Sequence, residues 1–148
     1  MRLVIFQPDI PQNTGTMIRT AACFNISVDI IEPCGFVWSD KHLKRAEMDY
    51  QSLAHVVRHK SWEDYIANNK HRRLVLLTTK GDCAYSDFSF QKNDALIVGR
   101  ESSGVPSEVH SVVDARLFIP MYNKGARSLN VAVSAAIVLS EGLRQSAI

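Results

Sequence analysis

Three loop segments of the sequence carry polar residues that could do chemistry. In the first, 11–19, polar or small residues recur at i, i+3, i+4 and i+7: Gln12, Gly15, Thr16 and Arg19. On a helix this spacing places them along one stripe that ends in an arginine. Small polar residues allow a substrate to approach closely, and a guanidinium binds phosphate or another anion through two hydrogen bonds. The segment predicts a site for an anionic or hydroxyl-bearing substrate; a capped surface helix is the simpler alternative.

The second segment, 99–106, is a glycine-rich loop that also contains an acid, Glu101. Gly99 and Gly104 have the spacing of a phosphate-binding loop, but Val105-Pro106 stands where that loop needs Lys and Ser or Thr. Hydrolysis of nucleoside triphosphates is therefore excluded. No G-x-G-x-x-G motif follows a strand, so a Rossmann dinucleotide site lacks support. The glycines permit close backbone contact with a ligand, and a flexible turn is the alternative interpretation.

The third segment begins with Ile119-Pro120-Met121 and continues to Arg127, Ser128 and Asn130, immediately before an apolar helical pattern. A helix N-terminus exposes unpaired N–H groups and the positive end of the helix dipole. Capping by Ser128 explains one of these polar residues. It does not explain why three of them arrive together, so the segment predicts a polar site at the start of the last helix.

Apolar runs and capping residues define the elements that position these loops. The apolar runs predict strands at 3–6, 28–32, 74–77, 95–98 and 115–119. Helices are predicted after an Asn13 cap, at 40–48, after Ser61, from Ser107, and from a Ser128 cap to about Gln145, the last apolar nearly all round and therefore buried. Apolar strands that alternate with helices indicate an α/β fold with a parallel sheet covered on both faces. Ligands of such sheets bind at the carboxyl ends of the strands, where the three loops begin.

Length and composition bound the class of protein. The chain has 148 residues, 46% hydrophobic and 22% charged, which predicts one domain over 1–148. It has no apolar run of the roughly 20 residues that a membrane helix needs, and its N-terminus does not resemble a signal peptide. We therefore expect a cytoplasmic protein. Its three cysteines form no C-x-x-C pair, which argues against a disulfide framework and against a zinc site, so no metal is expected.

The charge distribution leaves two interpretations open. The net charge is only +2, but residues 41–73 concentrate basic side chains against four acids. The basic residues of this region are Lys41, Lys44, Arg45, Arg58, Lys60, Lys70, Arg72 and Arg73. They form either a solvated face or a surface that binds phosphates.

Taken together, the three segments resemble a known superfamily. The sequences N-T-G-T-M-I-R at 13–19, I-V-G-R-E-S-S-G-V-P at 97–106 and I-P-M…R-S-L-N-V-A at 119–132 are similar to the three signature motifs of SPOUT methyltransferases. With I-I-E-P-C-G-F at 30–36 and L-T-T-K-G at 77–81, the chain most resembles the tRNA (cytidine(34)-2'-O)-methyltransferases. The resemblance covers essentially the whole chain, in order.

The resemblance implies a mostly parallel sheet with helices on both faces and a C-terminal deep trefoil knot that holds S-adenosylmethionine. By motif, the cofactor pocket would use Leu77, Thr78, Gly99, Gly104, Ile119, Met121, Ser128 and Leu129. The polar catalytic positions would be Asn13, Arg19, Glu101, Ser128 and Asn130. The active unit would be a homodimer, in which Asn13 and Arg19 of one chain complete the site of the other. The partner RNA would be the anticodon stem-loop of tRNA.

The implied reaction is in-line methyl transfer to the ribose 2'-hydroxyl of the wobble nucleotide, position 34, a cytidine or modified uridine, without a metal. A guanidinium, with a pKa above about 12, is a poor base, so Arg19 is expected to orient the 2'-oxygen and the adjacent phosphate. Close family members often carry Asn and Tyr where this chain has Val133 and Ser140. Two alternatives remain: 2'-O-methylation of ribosomal RNA or another tRNA position, and a catalytically silent knotted RNA-binding module.

Overall fold

A computed structural model describes residues 1–39 and 53–146 of the chain. The strands in these ranges are β1 (Arg2–Phe6), β2 (Ser27–Ile31), β3 (Val56–His59), β4 (Arg73–Leu77), β5 (Cys83–Ala84), β6 (Asp94–Val98) and β7 (Ala115–Phe118). The α-helices are α1 (Pro11–Cys23), α2 (Trp62–Asn68), α3 (Ser107–Val112) and α4 (Val131–Ser146). A 3-10 turn, Tyr85–Asp87, follows β5. The helix expected at 40–48 lies outside the described residues.

The seven strands form one sheet, in the order β3-β2-β1-β6-β4-β7-β5, and every neighbouring pair is parallel. The order reverses between β1 and β6: from β1 the chain continues to β2 and β3 on one side, and β6 begins the other half. Loops on the two sides of such a reversal diverge and leave a crevice at the carboxyl ends of the strands. The predicted α/β parallel sheet is confirmed.

Helices cover both faces of the sheet, because alternate side chains of each strand point to opposite faces. On one face Leu3 and Ile5 of β1 pack in a core that includes Met17 of α1 and Val138 of α4. On the other face Val4 and Phe6 pack with residues of α2 and α3, among them Trp62, Tyr65 and Val109. The two cores lie against the faces of the sheet, and the loops follow the ends of the strands.

Two of the expected helix caps are wrong and one is confirmed. The helix α1 begins at Pro11 with Ile10 as its N-cap, which places Asn13 inside the first turn; proline suits that start because its fixed φ is helical and it needs no N–H partner. Asn130, and not Ser128, caps α4: its Oδ1 accepts hydrogen bonds from the Ala132 and Val133 amides at 2.8 and 3.2 Å. Ser61 caps α2, as predicted, by accepting from the Asp64 amide.

The burial of α4 and the extent of the sheet also differ from expectation. One side of α4 is buried, but Val133 is 49% exposed, so the expected all-round burial is wrong for this chain by itself. The edge strand β3 was not predicted, because Arg58 and His59 interrupt its short apolar pattern. In the part of the chain that the structure describes, no helix is long and apolar enough to span a membrane.

Candidate active site

A cavity of about 690 Å³ lies at the carboxyl ends of three neighbouring strands. Its floor includes Leu77 at the end of β4, Val98 at the end of β6 and Phe118 at the end of β7. The loops that follow these strands form its walls. The cavity therefore occupies the place where a parallel α/β sheet binds ligands.

All eight residues that the resemblance implied for the cofactor pocket line this cavity. They are Leu77, Thr78, Gly99, Gly104, Ile119, Met121, Ser128 and Leu129. Four of the five expected catalytic residues line it as well: Asn13, Glu101, Ser128 and Asn130. The cavity thus brings together side chains from four separate stretches of the sequence.

Further lining residues were not predicted from the sequence. Ile10, Thr79, Val105 and Ser134 contribute to the walls, in addition to Arg127, which the third segment predicted. Ile10 and Val105 are apolar neighbours of motif residues and carry no signal of their own. Arg127 adjoins Ser128, so its place in the motif already indicated it.

The glycine-rich loop 99–104 is closed by its own backbone. The Arg100 amide donates to the Gly104 carbonyl at 3.1 Å, and the Gly104 amide donates to the Arg100 carbonyl at 2.8 Å. Gly104 has a φ of +67°, which favours glycine. A Cβ on Gly99 would lie 2.7 Å from the Gly104 backbone. Both glycines are thus required by a tight loop that presents bare backbone to the cavity.

A chain of hydrogen bonds links the polar residues of the three motif segments. Asn13 Nδ2 donates to Glu101 Oε1 at 3.4 Å, and Asn130 Nδ2 donates to Asn13 Oδ1 at 2.9 Å. Because the Asn130 side-chain oxygen also caps α4, the chain ends on that helix N-terminus. Asn13 therefore lies against polar residues of its own chain, whereas the resemblance implied a contribution to the site of a partner.

Asp9, in the loop between β1 and α1, adjoins this network and was not predicted. Its carboxylate accepts two hydrogen bonds from the Arg100 guanidinium and two from Ser102, one of them from the Ser102 amide at 3.0 Å. Its own amide donates to Glu101 Oε2 at 2.8 Å. The hydrogen bonds from Arg100 and Ser102 lower the pKa of Asp9 to about 2, so this carboxylate is ionised at neutral pH.

Arg19 lies apart from the cavity. It lines a shallow groove between α1 and α4 with Thr16, Thr20, Cys23, Phe24 and Ala136. Gln12 and Thr16 of the expected polar stripe are exposed, but Gly15 is buried, so the stripe is shorter than predicted. Within one chain, Arg19 is the only expected catalytic residue of the described part that does not reach the cavity wall.

The basic residues of the region 41–73 lie at both ends of the strands, some at the amino ends and others at the carboxyl ends. Arg73 is the first residue of β4 and so lies at the amino ends of the strands, opposite the cavity. It pairs with the buried Asp94 through two hydrogen bonds of 2.7 Å. Arg58, near the carboxyl end of β3, pairs with Glu32 and stacks over the Trp38 ring at 4.8 Å. Of the two interpretations left open for this region, a phosphate-binding surface does not extend to Arg73, because its guanidinium is paired with Asp94. Lys41, Lys44 and Arg45 lie outside the described residues.

The parallel sheet, the cavity at its strand ends and the three motif loops that converge on it agree with the SPOUT-like architecture that the resemblance implied. The chain belongs to the SpoU rRNA Methylase family, whose sequence model matches residues 1–140. This confirms the superfamily that the motifs predicted.

Relatives and solved structures similar to this chain extend over nearly its full length. A tRNA (cytidine(34)-2'-O)-methyltransferase of Beijerinckia indica subsp. indica is 52% identical over 97% of this chain and 90% of the relative. A protein of the same name from Escherichia coli K12 is 37% identical over 98% of this chain and 93% of the relative.

Two solved structures support the fold and the family. One, described as giving structural insights into the 2-OH methylation of C/U34 on tRNA, superposes with a TM-score of 0.93 at 35% identity, covering 97% of this chain and 94% of that chain. The SpoU methyltransferase AviRb of Streptomyces viridochromogenes, in complex with the cofactor AdoMet, superposes with a TM-score of 0.86 at 26% identity. The match covers 98% of this chain and 60% of AviRb.

Proposed function

We propose that this protein transfers a methyl group from S-adenosylmethionine to the ribose 2'-hydroxyl of the wobble nucleotide, position 34, of tRNA. The base there is cytidine or a modified uridine. The observation that carries the proposal is the convergence of three motif segments on one cavity at the ends of β4, β6 and β7. Relatives named for this activity at 52% and 37% identity support it. Residues 1–148 act as one methyltransferase domain, in the cytoplasm.

The cavity suits S-adenosylmethionine in size and chemistry. Its volume of about 690 Å³ falls within the range of about 300 to 1,000 Å³ that is usual for ligands of this size. Leu77, Ile119 and Leu129 offer apolar walls, and the bare backbone of Gly99 and Gly104 allows close approach. When bound, S-adenosylmethionine supplies a methyl group already activated on a sulfonium.

The protein's own residues position the acceptor. Arg19 orients the 2'-oxygen and the adjacent phosphate, since a planar guanidinium can form two parallel hydrogen bonds with such a group. Asn13 and Ser128 supply hydrogen bonds near the reacting hydroxyl, and Glu101 holds Asn13 in place. Holding donor and acceptor in line supplies part of the rate acceleration, about 7 to 11 kcal/mol at best.

Two assembly features complete the proposed site. The segment 119–130 and α4 form the deep trefoil knot that encloses the cofactor. The protein acts as a homodimer, in which the groove between α1 and α4 presents Arg19 to the cavity of the partner. The position of Arg19 outside its own chain's cavity and the 49% exposure of Val133 on α4 support this arrangement.

The substrate is the anticodon stem-loop. Its unstacked bases can be splayed into a pocket, whereas the ribose hydroxyls of an A-form stem are fixed in the groove wall. Two residues of the basic region, Arg58 and the exposed Lys60, lie at the carboxyl ends of the strands, as the cavity does. These two residues contact the stem phosphates.

Ribosomal RNA is the second candidate substrate, because the matched family is described as an rRNA methylase family. The experiment uses three RNAs: an anticodon stem-loop, the same stem-loop with 2'-deoxyribose only at position 34, and ribosomal RNA. We expect methylation of the first alone. Methylation of the deoxy variant at the normal rate would refute the position, and methylation of ribosomal RNA alone would refute the substrate. Cofactor and RNA binding without transfer to any of the three would identify a silent module.

A further inference from the structure

Asp9 contacts three consecutive residues of the glycine-rich loop, Arg100, Glu101 and Ser102. Its carboxylate binds Arg100 on one side of Glu101 and Ser102 on the other. Its amide binds the Glu101 carboxylate directly, at 2.8 Å. Asp9 therefore holds Glu101 through one direct contact and through both of its neighbours in the chain.

The contact that this arrangement maintains is the hydrogen bond between Asn13 and Glu101, which is weak. Asn13 Nδ2 lies 3.4 Å from Glu101 Oε1, at the long end of the hydrogen-bond range. A movement of the loop by a few tenths of an ångström would break that contact. The tip of the loop, Ser102 and Ser103, is exposed. The base of the loop is closed by the backbone hydrogen bonds between Arg100 and Gly104, so the contacts of Asp9 with Glu101 and Ser102 lie beyond that closure.

We propose that Asp9 is a positioning residue for methyl transfer, which fixes the segment Arg100–Ser102 so that Glu101 holds Asn13 in the active site. This inference rests on the proposed function. Asp9 does not line the cavity itself, so it acts through Glu101 and Asn13 and not by contact with the cofactor or the RNA.

Gly35 bounds one side of Asp9. The segment after β2 passes directly behind it, where the Gly35 amide donates to the Pro8 carbonyl at 2.8 Å. A Cβ on Gly35 would lie 2.8 Å from Asp9 Oδ1 and 3.1 Å from Asp9 Cα. Gly35 is thus the residue whose small size allows Asp9 to face Arg100.

Two variants test the role by different means. Asp9→Asn keeps the backbone amide and the side-chain shape but removes the charge and half of the acceptors. Gly35→Ala keeps the charge and displaces Asp9 by steric contact. For both variants we expect kcat for the stem-loop to fall by about 10- to 100-fold, because a small misplacement of reacting groups has effects of this size. We expect the Kd for S-adenosylmethionine and the KM for RNA to change by less than about 3-fold, since Asp9 contacts neither.

Glu141→Gln is the matched control. Glu141 also accepts two hydrogen bonds from an arginine, Arg144, at 2.8 and 2.9 Å, and the hydrogen bonds from Arg144 and Gln145 also lower its pKa to about 2. It lies eleven residues beyond Asn130 along α4, about 16 Å from the cap. We expect wild-type kinetics from this variant, which separates loss of any arginine–carboxylate pair from loss of this one.

A spectroscopic measurement tests the positioning without catalysis. In nitrogen-15 spectra we expect Asp9→Asn to shift the side-chain amide signals of Asn13 and Asn130, and Glu141→Gln to leave them in place. Unshifted signals, an unchanged kcat, or equal losses in kcat and cofactor affinity would overturn the proposal. If the wild-type protein itself methylates no RNA, the proposed function fails, and the shifts of Asn13 and Asn130 alone then decide whether Asp9 positions them.

Discussion

Asn130 donates its Nδ2 to the Asn13 side-chain oxygen at 2.9 Å and so joins residues that are 117 positions apart in the chain. The side-chain oxygen of Asn130, Oδ1, accepts hydrogen bonds from the Ala132 and Val133 amides in the first turn of α4. One side chain therefore performs two tasks: it starts the helix and it orients a proposed active-site residue. The two tasks use different atoms, so they can be separated by substitution.

Asn130→Asp and Asn130→Ala should have different effects on stability and the same effect on activity. Aspartate is as good a helix cap as asparagine but has no N–H to donate to Asn13. Alanine removes both functions, which should lower the free energy of unfolding by about 1 kcal/mol. We expect both variants to lose most of their methyl transfer and only Asn130→Ala to lose stability. Thermal unfolding and single-turnover assays measure the two effects; equal stability losses would contradict the capping assignment.

Arg19 should be needed for transfer and not for cofactor binding, because it lies outside the cavity of its own chain. We expect Arg19→Ala to abolish methylation while calorimetry gives a Kd for S-adenosylmethionine within about 3-fold of wild type. A large loss of cofactor affinity would contradict this role.

Mixed dimers test which residues are shared between chains. An Arg19→Ala chain paired with a Ser128→Ala chain leaves one complete site, if Arg19 serves the partner. We therefore expect such dimers to regain about half of the wild-type activity. The contacts of Asn13 with Glu101 and Asn130 of its own chain predict the opposite for an Asn13→Ala chain paired with Ser128→Ala. Rescue in that second mixture would show that Asn13 acts across the interface.

The sequence predicted five of the seven strands in the described residues and most of the cavity wall, but not the contacts between loops. Five apolar strands and the motif residues at their ends could be predicted because each signal is local. The bonds of Asp9 with Arg100 and Ser102 span more than ninety residues, and nothing in the local pattern around Asp9 indicates its partners. The sequence predicts Ser128 as the cap of α4, whereas the Asn130 side chain caps it. Serine and asparagine cap helices about equally well, so residue type alone does not identify the cap.

Edge strands were the other failure, for a related reason. β3 has only four residues, and two of them are Arg58 and His59. His59 is nevertheless buried, because its Nε2 lies 2.8 Å from the carboxylate of the buried Asp29. A polar residue satisfied by a distant partner cannot be told from a loop residue by hydropathy alone.

Gly99→Ala should abolish cofactor binding. The added Cβ would lie 2.7 Å from the Gly104 backbone, a distance that requires the loop to open. Since both glycines line the cavity, an opened loop changes its shape. Gly125→Ala is the control, because Gly125 is exposed, does not line the cavity, and its Cβ would meet only the Asn123 side chain, at 3.3 Å. Calorimetry with S-adenosylmethionine should show no binding for the first variant and normal binding for the second; normal binding by both would contradict the tight-loop interpretation.

The hydrogen bonds of Asp9 should stabilise the fold only while its carboxylate is ionised. Its pKa is lowered from 3.8 to about 2 in the folded protein, chiefly by Arg100 and Ser102. A lowered folded-state pKa contributes stability that is complete above the unfolded-state pKa and is lost as the pH falls towards the folded-state pKa. We expect wild type to have a higher Tm than Asp9→Asn at pH 6, and the difference to shrink below about pH 4. A difference that is constant with pH would exclude the ion pair as its cause.

Lys60 and Lys70 offer a matched test of where the RNA lies. Both are exposed lysines, but Lys60 follows the carboxyl end of β3 and Lys70 precedes the amino end of β4. The two lysines therefore lie at opposite ends of the strands, and only Lys60 lies at the carboxyl ends, where the cavity is. Each phosphate that a protein neutralises contributes roughly 0.7 to 0.9 to the slope of log affinity against log salt concentration.

We accordingly expect Lys60→Ala to weaken stem-loop binding and to lower the salt slope by about one phosphate's worth, and Lys70→Ala to leave both unchanged. Fluorescence anisotropy over a series of salt concentrations measures the slope for each variant. Because the two substitutions remove the same charge from the same net total, a general electrostatic effect would lower both slopes equally. Equal slopes for the two variants would therefore contradict RNA binding at the carboxyl ends of the strands. A lower affinity and a lower slope for Lys60→Ala alone would place the stem phosphates beside those ends.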